Sequence, residues 1–398
     1  MNGKPGSVSE MQTFFKRTYE MQKDRGKIRD FFDSSLESTL MPKRKIWQYV
    51  NEILDKDWAF NYIGPQGDEG LRMKIAGRYL HDEKLAKDFL ITSGAQEALM
   101  IIIRYLDKVI GKKVRVGVEE FTYVGFRHIL EENECQIDYL KLSDDGLDLD
   151  DLEKKLKRGL DLVYLIPDIQ NPTGVIYSNK NRKKIAELQK KYKFWLILDL
   201  SYRDLFFTGV SKPGIEMFNK EKTFFVGSFS KTMFPALRIG WMYMPKIKEE
   251  LLLIRRSIDL FQPTFLQLAM SRFLGGEYDR HLEIVRSIVK DKRDFLNKKL
   301  IENDFDKKYF WKDVGGGYYL WLSRIDGKSC KKEIKKWSKD GIITASGLYF
   351  NPSRGGSYVR LCFSRLSIAE IGESVDRMAG KKLLVKKKNW LMKLLELR

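Results

Sequence analysis

Between residue 88 and about residue 245, short apolar runs alternate with longer stretches of helical spacing. Phe89 to Thr92, Val114 to Val118, Leu162 to Ile166, Phe194 to Leu198, Thr223 to Val226 and Gly240 to Met244 are brief runs dominated by apolar residues, and Gln136 to Leu140 adds another of the same length. Continuous short runs without polar alternation predict strands buried on both faces. Between them, a helix is expected from Ala95 through Leu106, and further helices over Asp150 to Lys157 and Asn179 to Tyr192. Strands alternating with helices predict an α/β domain built on a largely parallel sheet.

The pattern differs on either side. Ile46 to Leu54 has helical spacing behind Met41-Pro42, Asn61 to Gly67 is a turn-rich loop, and Asp68 to Leu80 carries Leu71, Ile75 and Tyr79 on one helical face. Helical spacing dominates from Lys246 to Leu300, and strands return at Tyr318 to Trp321 and Tyr358 to Cys362. A smaller α+β domain is therefore expected over residues 276–398, joined by an N-terminal segment, 1–50, with the large α/β domain over 51–275. Phe14-Phe15 to Tyr19 hints at an amphipathic turn, and Gly380 to Arg398 reads as a basic terminal helix.

Composition narrows the class. The 398 residues are 43% hydrophobic, enough for a sizeable core. The 73 Lys and Arg against 54 Asp and Glu give +19, but the excess is spread over mixed-charge helical faces. Solvated helix faces explain this better than a nucleic-acid stripe, so nucleic acid is not an expected partner. Cys135, Cys330 and Cys362 have neither metal nor redox spacing and fit a reducing, cytoplasmic setting. No signal region or membrane span is evident, and no metal site is expected.

The chemistry gathers around Gly227 to Gly240. Ser228, Ser230 and Lys231 follow one apolar run, and Arg238 precedes the next. Small and hydroxyl residues between two strands can hold a reactive amine, and the hydroxyls with a guanidinium suit a phosphate. Lys231 reads as a Schiff-base lysine for pyridoxal phosphate, although in so lysine-rich a chain a single lysine is usually a surface residue.

Other groups with the required chemistry stand at predicted strand ends, where α/β sites form. Ser93-Gly94-Ala95-Gln96 would present helix N-terminal amides to an anion; it is equally an ordinary strand–helix turn. Asp199 ends an apolar run and could pair with a pyridinium, or cap a turn. Tyr202 and Asn171 could meet the ring's phenolic oxygen, and Tyr123 could stack on the ring or sit in the core. Arg360, on a predicted strand, wants a carboxylate from a substrate or from the protein itself.

Tyr62-x-x-Pro65-x-Gly67-x-x-x-Leu71-Arg72, Thr92 to Leu99, Gln170 to Gly174, Asp199-x-x-Tyr202 and Ser228-x-Ser230-Lys231 with Arg238 follow one another in order. Together they resemble the class I/II aminotransferases of PLP fold type I, over about residues 40 to 380. The likeness is greatest to the 2-aminoadipate/kynurenine-type enzymes and the aminotransferase-type domain of MocR-class regulators. It implies a large domain with a mixed, mainly parallel seven-stranded sheet flanked by helices, a small α+β domain, and a homodimer with shared sites. It implies Lys231 as the cofactor-linked proton shuttle, Asp199 on the pyridine nitrogen, Asn171 and Tyr202 on the phenolic oxygen, and Tyr123 on the ring. Ala95, Gln96, Ser228, Ser230 and Arg238 would surround the phosphate, Tyr62 would reach the partner's phosphate, and Arg360, with Asn171 beside it, would hold the substrate's α-carboxylate.

The chain departs from that pattern in places. Phe32 to Leu36 lacks the glycine that helps cover the substrate, Phe121 stands where proline is usual, and Asp199-Leu200-Ser201-Tyr202 replaces Asp-Asp-Pro-Tyr. The function expected is amino-group transfer between an L-amino acid and a 2-oxo acid in two half-reactions. A PLP-dependent lyase and a non-catalytic amino-acid-binding regulator are the alternatives. About 40 residues precede the domain, fewer than a winged helix and linker of the MocR type.

Overall fold

A computed structural model describes residues 28–208, 217–245 and 249–381. The amphipathic hint near Phe14 and the terminal helix expected beyond Lys381 lie outside the described residues.

Fourteen strands and eleven α-helices are described, in the order β1 (Arg29–Phe31), α1 (Lys43–Asn51), α2 (Glu69–Leu80), β2 (Phe89–Thr92), α3 (Ala95–Ile110), β3 (Arg115–Glu119), α4 (Val124–Glu132), β4 (Gln136–Leu140), β5 (Leu142–Ser143), β6 (Gly146–Leu147), α5 (Leu149–Leu156), β7 (Leu162–Leu165), α6 (Asn179–Tyr192), β8 (Trp195–Asp199), β9 (Thr223–Ser228), β10 (Gly240–Tyr243), α7 (Glu249–Ile258), α8 (Thr264–Gly276), α9 (Tyr278–Glu302), β11 (Tyr309–Phe310), β12 (Tyr319–Arg324), α10 (Lys331–Lys339), β13 (Ile342–Ser346), β14 (Tyr358–Cys362) and α11 (Ile368–Met378). The apolar runs and the strands agree to within a residue or two. Strands β1, β5, β6, β11 and β13 and helices α4, α10 and α11 are additions, on stretches where the periodicity was too short or too mixed to read.

The large sheet has seven strands in the order β2-β10-β9-β8-β7-β3-β4. All are parallel except β10, which runs against β2 and β9. Two apolar layers cover its faces: one includes Phe89, Val163, Leu196, Phe225 and Trp241, the other Leu90, Val116, Leu162, Ile197 and Phe224. Neighbouring residues of one strand fall in opposite layers, which is why these strands read as continuous apolar runs. A second sheet, β1-β13-β14-β12-β11, packs on α9 and α11 around Phe31, Val285, Leu296, Leu320 and Leu361. The N-terminal β1 pairs in parallel with β13, so residues 29–31 enter this second sheet. Helix α11 is fixed at its start by a reciprocal Ser367–Glu370 capping box. Among the described residues no helix is long and apolar enough to cross a membrane.

Candidate active site

The carboxyl ends of the parallel strands β2, β3, β7, β8 and β9 point to one side of the sheet, where a cavity of about 680 Å³ opens toward the second sheet. Such a crevice beyond the strand ends is where open α/β sheets bind ligands. Lys231, Ala95, Gln96, Tyr123, Asn171, Asp199, Tyr202, Ser228, Ser230, Arg238 and Arg360 all line it; of the candidate site residues only Tyr62 does not. Tyr62 stands 75% exposed on the surface, edge-on to Phe261 with ring centroids 4.8 Å apart.

Lys231 projects from the turn after β9. Its Nζ donates to the Ser34 hydroxyl at 2.7 Å and to the Ser34 carbonyl at 3.2 Å. The backbone around it is pinned: the Tyr318 hydroxyl donates to the Lys231 carbonyl, and His281 Nε2 meets the Thr232 carbonyl at 2.7 Å. Tyr202 hangs beside the amine, its ring centroid 6.0 Å from Nζ and its hydroxyl 3.4 Å from Ser34 Oγ.

Asp199 ends β8, buried. It accepts the Tyr164 hydroxyl at 2.9 Å and the Ser201 amide at 2.9 Å. Burial raises its carboxyl above the usual range, and the hydrogen bonds to Ser201 and Tyr164 and the charge of Lys231 offset this only in part. A carboxylate this costly to ionise suits a cationic partner inside the cavity.

A glycine-opened helix start lies at the other end. Gly94, at φ 128°, caps α3 with no side-chain hydrogen bond, leaving the first-turn amides to an incoming group. A Cβ at Gly94 would come within 3.3 Å of Arg238 Nη2, and one at Gly240 would lie 2.6 Å from the Gly94 Cα. Only glycines let strand β10, the Arg238 guanidinium and the head of α3 come this close. Ser228 and Ser230 face the same space, linked Oγ to Oγ at 3.0 Å. Tyr123 forms the wall beside it, its hydroxyl donating to Gln96 Oε1 at 2.8 Å. Burial, with Asp199 and Tyr202 adding, pushes its phenol up to about 12, so it stays neutral.

Arg360, buried on β14, donates from Nη1 to Asn171 Oδ1 at 2.8 Å and from Nη2 to the Phe32 carbonyl at 2.6 Å. Among the described residues no carboxylate is a hydrogen-bond partner of Arg360. Arginine only donates, so Asn171 turns its Oδ1 to Arg360 and its amide nitrogen the other way. The loop carrying Asn171 has a cis Asn171–Pro172 peptide and is braced by Asp168. Burial alone would raise the Asp168 carboxyl, but Arg182 and Arg203, at 2.7 and 2.8 Å, hold it below the ordinary range.

Several residues of the cavity carried no sequence signal. Ser34 follows β1 in a stretch that showed only a missing glycine. Phe32 and Tyr349 meet edge to face at 5.2 Å and, with Phe350, form the wall next to Arg360. Arg365 also reaches the cavity, clamped by Asp30 at 3.0 Å and Asp33 at 2.8 Å.

The family profile described as aminotransferase class I and II matches residues 34–378, and the chain belongs to that family. It is a pyridoxal-phosphate-dependent aminotransferase of fold type I. The chain is 30% identical over 353 residues to aromatic-amino-acid aminotransferase 1 of Thermococcus litoralis, covering 85% of this chain and 84% of that protein. It is 27% identical over 352 residues to an uncharacterized HTH-type transcriptional regulator of Bacillus subtilis, covering 86% of this chain and 71% of that one. Among solved structures, the kynurenine aminotransferase of Pyrococcus horikoshii, in complex with PMP, superposes with a TM-score of 0.84 at 29% identity over 94% of each chain.

The cavity fits the cofactor on its own terms. It offers a primary amine at Lys231, a glycine-opened helix N-terminus with an arginine beside it, and a buried carboxylate whose raised pKa calls for a cation.

Proposed function

We propose that the chain moves an amino group between an aromatic or large apolar L-amino acid and a 2-oxo acid, in two half-reactions through one site. One observation carries this reading. Lys231 and Arg360 both meet the single short stretch Phe32 to Ser34, which sets an amine and a carboxylate-seeking guanidinium on one wall of the cavity. Bound pyridoxal phosphate supplies an aldehyde for the amino group and an electron-withdrawing ring. Gly94, Ala95, Gln96, Ser228, Ser230 and Arg238 would hold its phosphate. Asp199 would stabilise positive charge on the ring nitrogen, Tyr202 and Asn171 would donate to the phenolic oxygen, and Tyr123 would cover the ring face. Lys231 takes the proton from the substrate's Cα and delivers it again in the transfer, as a positioned general base and acid. Arg360 grips the α-carboxylate, and Phe32 and Tyr349 exclude water from the reacting carbon.

The side-chain preference follows from the same wall. Arg365 is already neutralised by Asp30 and Asp33, so a second substrate carboxylate finds no uncommitted cation there, while Phe32, Tyr349 and Phe350 offer aromatic surface. The name of the Thermococcus litoralis relative agrees with this preference. Phenylalanine or tyrosine is expected to exceed glutamate in kcat/KM by roughly tenfold or more. Arg360→Ala is expected to lower kcat/KM by roughly 10²-fold, the loss of a charge-assisted pair worth about 3 kcal/mol. Steady-state kinetics with retained cofactor absorbance checks both, and an Arg360→Ala enzyme of undiminished kcat/KM would sink the reading.

We also propose a homodimer. Trp47, Leu54, Trp58, Phe60, Tyr62 and Leu260 leave much of their side chains exposed on the segments around α1 and ahead of α8. Exposed apolar residues in such number mark an interaction surface, and a second copy there would let Tyr62 approach the partner's phosphate site. Trp58→Asp with Phe60→Asp should sediment as a monomer with activity reduced roughly tenfold or more. A wild-type monomer, or a fully active dimer of the variant, would rule this out.

A further inference from the structure

Glu119 ends β3 with no solvent exposure, and the chemistry proposed above makes no use of it. Its Oε1 accepts the Ile166 amide at 3.0 Å and the Tyr177 hydroxyl at 2.7 Å, and its Oε2 accepts Gln170 Nε2 at 2.8 Å. Gln170, also fully buried, is a hub. Its Nε2 reaches the Phe121 carbonyl at 2.6 Å and the Asn171 carbonyl at 3.0 Å, and its Oε1 accepts the Thr173 amide at 2.9 Å and hydroxyl at 2.7 Å. The next residue, Asn171, accepts from Arg360 at 2.8 Å. An unbroken line of contacts therefore joins Glu119 to the guanidinium at the cavity wall.

We propose that Glu119 is a positioning residue for the substrate carboxylate: its ionised form orients Gln170, Gln170 fixes the Asn171 loop, and Asn171 aims Arg360, so that protonating Glu119 loosens the grip on substrate. This rests on Arg360 being the carboxylate anchor.

Hydrogen-bond polarity supplies the reason. The Ile166 amide and Gln170 Nε2 can only donate, and the Tyr177 hydroxyl donates beside them, a set that a carboxylate satisfies in full. A proton on Oε2 would set two donors against each other across the 2.8 Å contact with Gln170. Gln170 must then turn its amide over, which gives up the bond from the Thr173 amide and the bonds to the Phe121 and Asn171 carbonyls. In so dry a site the lost partners are not replaced by water.

The change falls in a useful range. Burial lifts the Glu119 carboxyl to about 7, with Gln170, Ile166 and Tyr177 holding it down and the nearby Asp199 pushing it up. The titratable groups around it are Asp199 from the end of β8, Tyr164 from β7 and Tyr177 from the loop before α6, with Arg182 of α6 behind Tyr177. Rising pH ionises Glu119 and tightens the loop, so the KM for the amino acid falls. Falling pH does the reverse.

The test measures KM and kcat of the holoenzyme from roughly pH 5.5 to 8.5, across that step. It compares wild type with Glu119→Gln and Tyr177→Phe. Glu119→Gln, which mimics the protonated acid, is expected to give a flat KM roughly tenfold above the wild-type alkaline value, with kcat changed less than about threefold. Tyr177→Phe removes a donor to the ionised form, so the KM step should move to higher pH. Calorimetric binding of 3-phenylpropanoate, a carboxylate without an amino group, should follow the same pattern independently of turnover. Thermal melts confirm folding of each variant. A Glu119→Gln enzyme that keeps the wild-type KM step and 3-phenylpropanoate affinity overturns the proposal. Arg360→Lys separates the two readings: undiminished 3-phenylpropanoate binding there defeats the anchor and the proposal together. Weakened binding there, with Glu119→Gln unaffected, overturns the proposal alone.

Discussion

Lys231→Ala is expected to lower turnover by roughly 10³-fold or more and to abolish the absorbance band of a covalent lysine–cofactor link. The geometry makes Lys231 hard to replace. Its backbone is held by Tyr318, the neighbouring Thr232 carbonyl by His281, and its amine rests on Ser34 in the cavity. Lys231→Arg should be as inactive, because a guanidinium in the same place keeps its proton at working pH and cannot act as the base. Non-covalent cofactor binding should survive in both, since the phosphate cradle proposed around Gly94 and Arg238 is untouched. Absorbance spectra with single-turnover assays check this, and either variant turning over within tenfold of wild type refutes the role.

Asp199→Asn is expected to lower kcat by roughly 10²-fold, because a neutral amide no longer stabilises positive charge on the ring nitrogen. Its effect on stability should have the opposite sign. In the cofactor-free protein the folded-state pKa of Asp199 is raised, chiefly by burial, so the folded state binds this proton more tightly than the unfolded one. The stabilising contribution is complete below the ordinary carboxyl pKa of 3.8 and is lost as pH rises through the raised folded value. Cofactor-free Asp199→Asn should therefore melt at a higher temperature than wild type on the alkaline side of that window, and the gap should close toward its acid end. Calorimetric melts without and with pyridoxal phosphate measure it. A variant less stable than wild type in the cofactor-free state at alkaline pH would show that Asp199 is already satisfied by protein partners.

The two results together would separate a structural aspartate from one reserved for a cation. Tyr164 and Ser201 give Asp199 two hydrogen bonds, as a turn aspartate receives, and these lower its carboxyl while burial raises it. Arg360 has the same ambiguity in sequence. Here the three-dimensional contacts bear on it directly: its terminal nitrogens Nη1 and Nη2 reach an amide oxygen and a backbone carbonyl, both neutral, so no hydrogen-bonded carboxylate among the described residues meets its charge.

What could be read from the sequence was local. Strands buried on both faces are spelled out by short apolar runs, and the turns that follow them carry Gly94, Asn171, Asp199 and Lys231 at strand ends, so the α/β class and the cofactor chemistry were legible. Contacts between distant segments were not. Ser34, Phe32 and Asp30 carry no periodicity or motif, and they reach the cavity because β1 pairs with β13, more than 300 positions away. Glu119 lies just past the apolar run Val114 to Val118 and was not singled out, and its link to Arg360 exists because β3 and β7 are neighbours in the sheet and the loop after β7 meets β14. Sequence pattern thus determined the elements and the reactive groups at their ends, because those depend on residues close along the chain. The tertiary structure decided what covers Lys231, what charge faces Arg360 and what neutralises Arg365, because hydrogen bonds and burial are set by residues that only folding brings together.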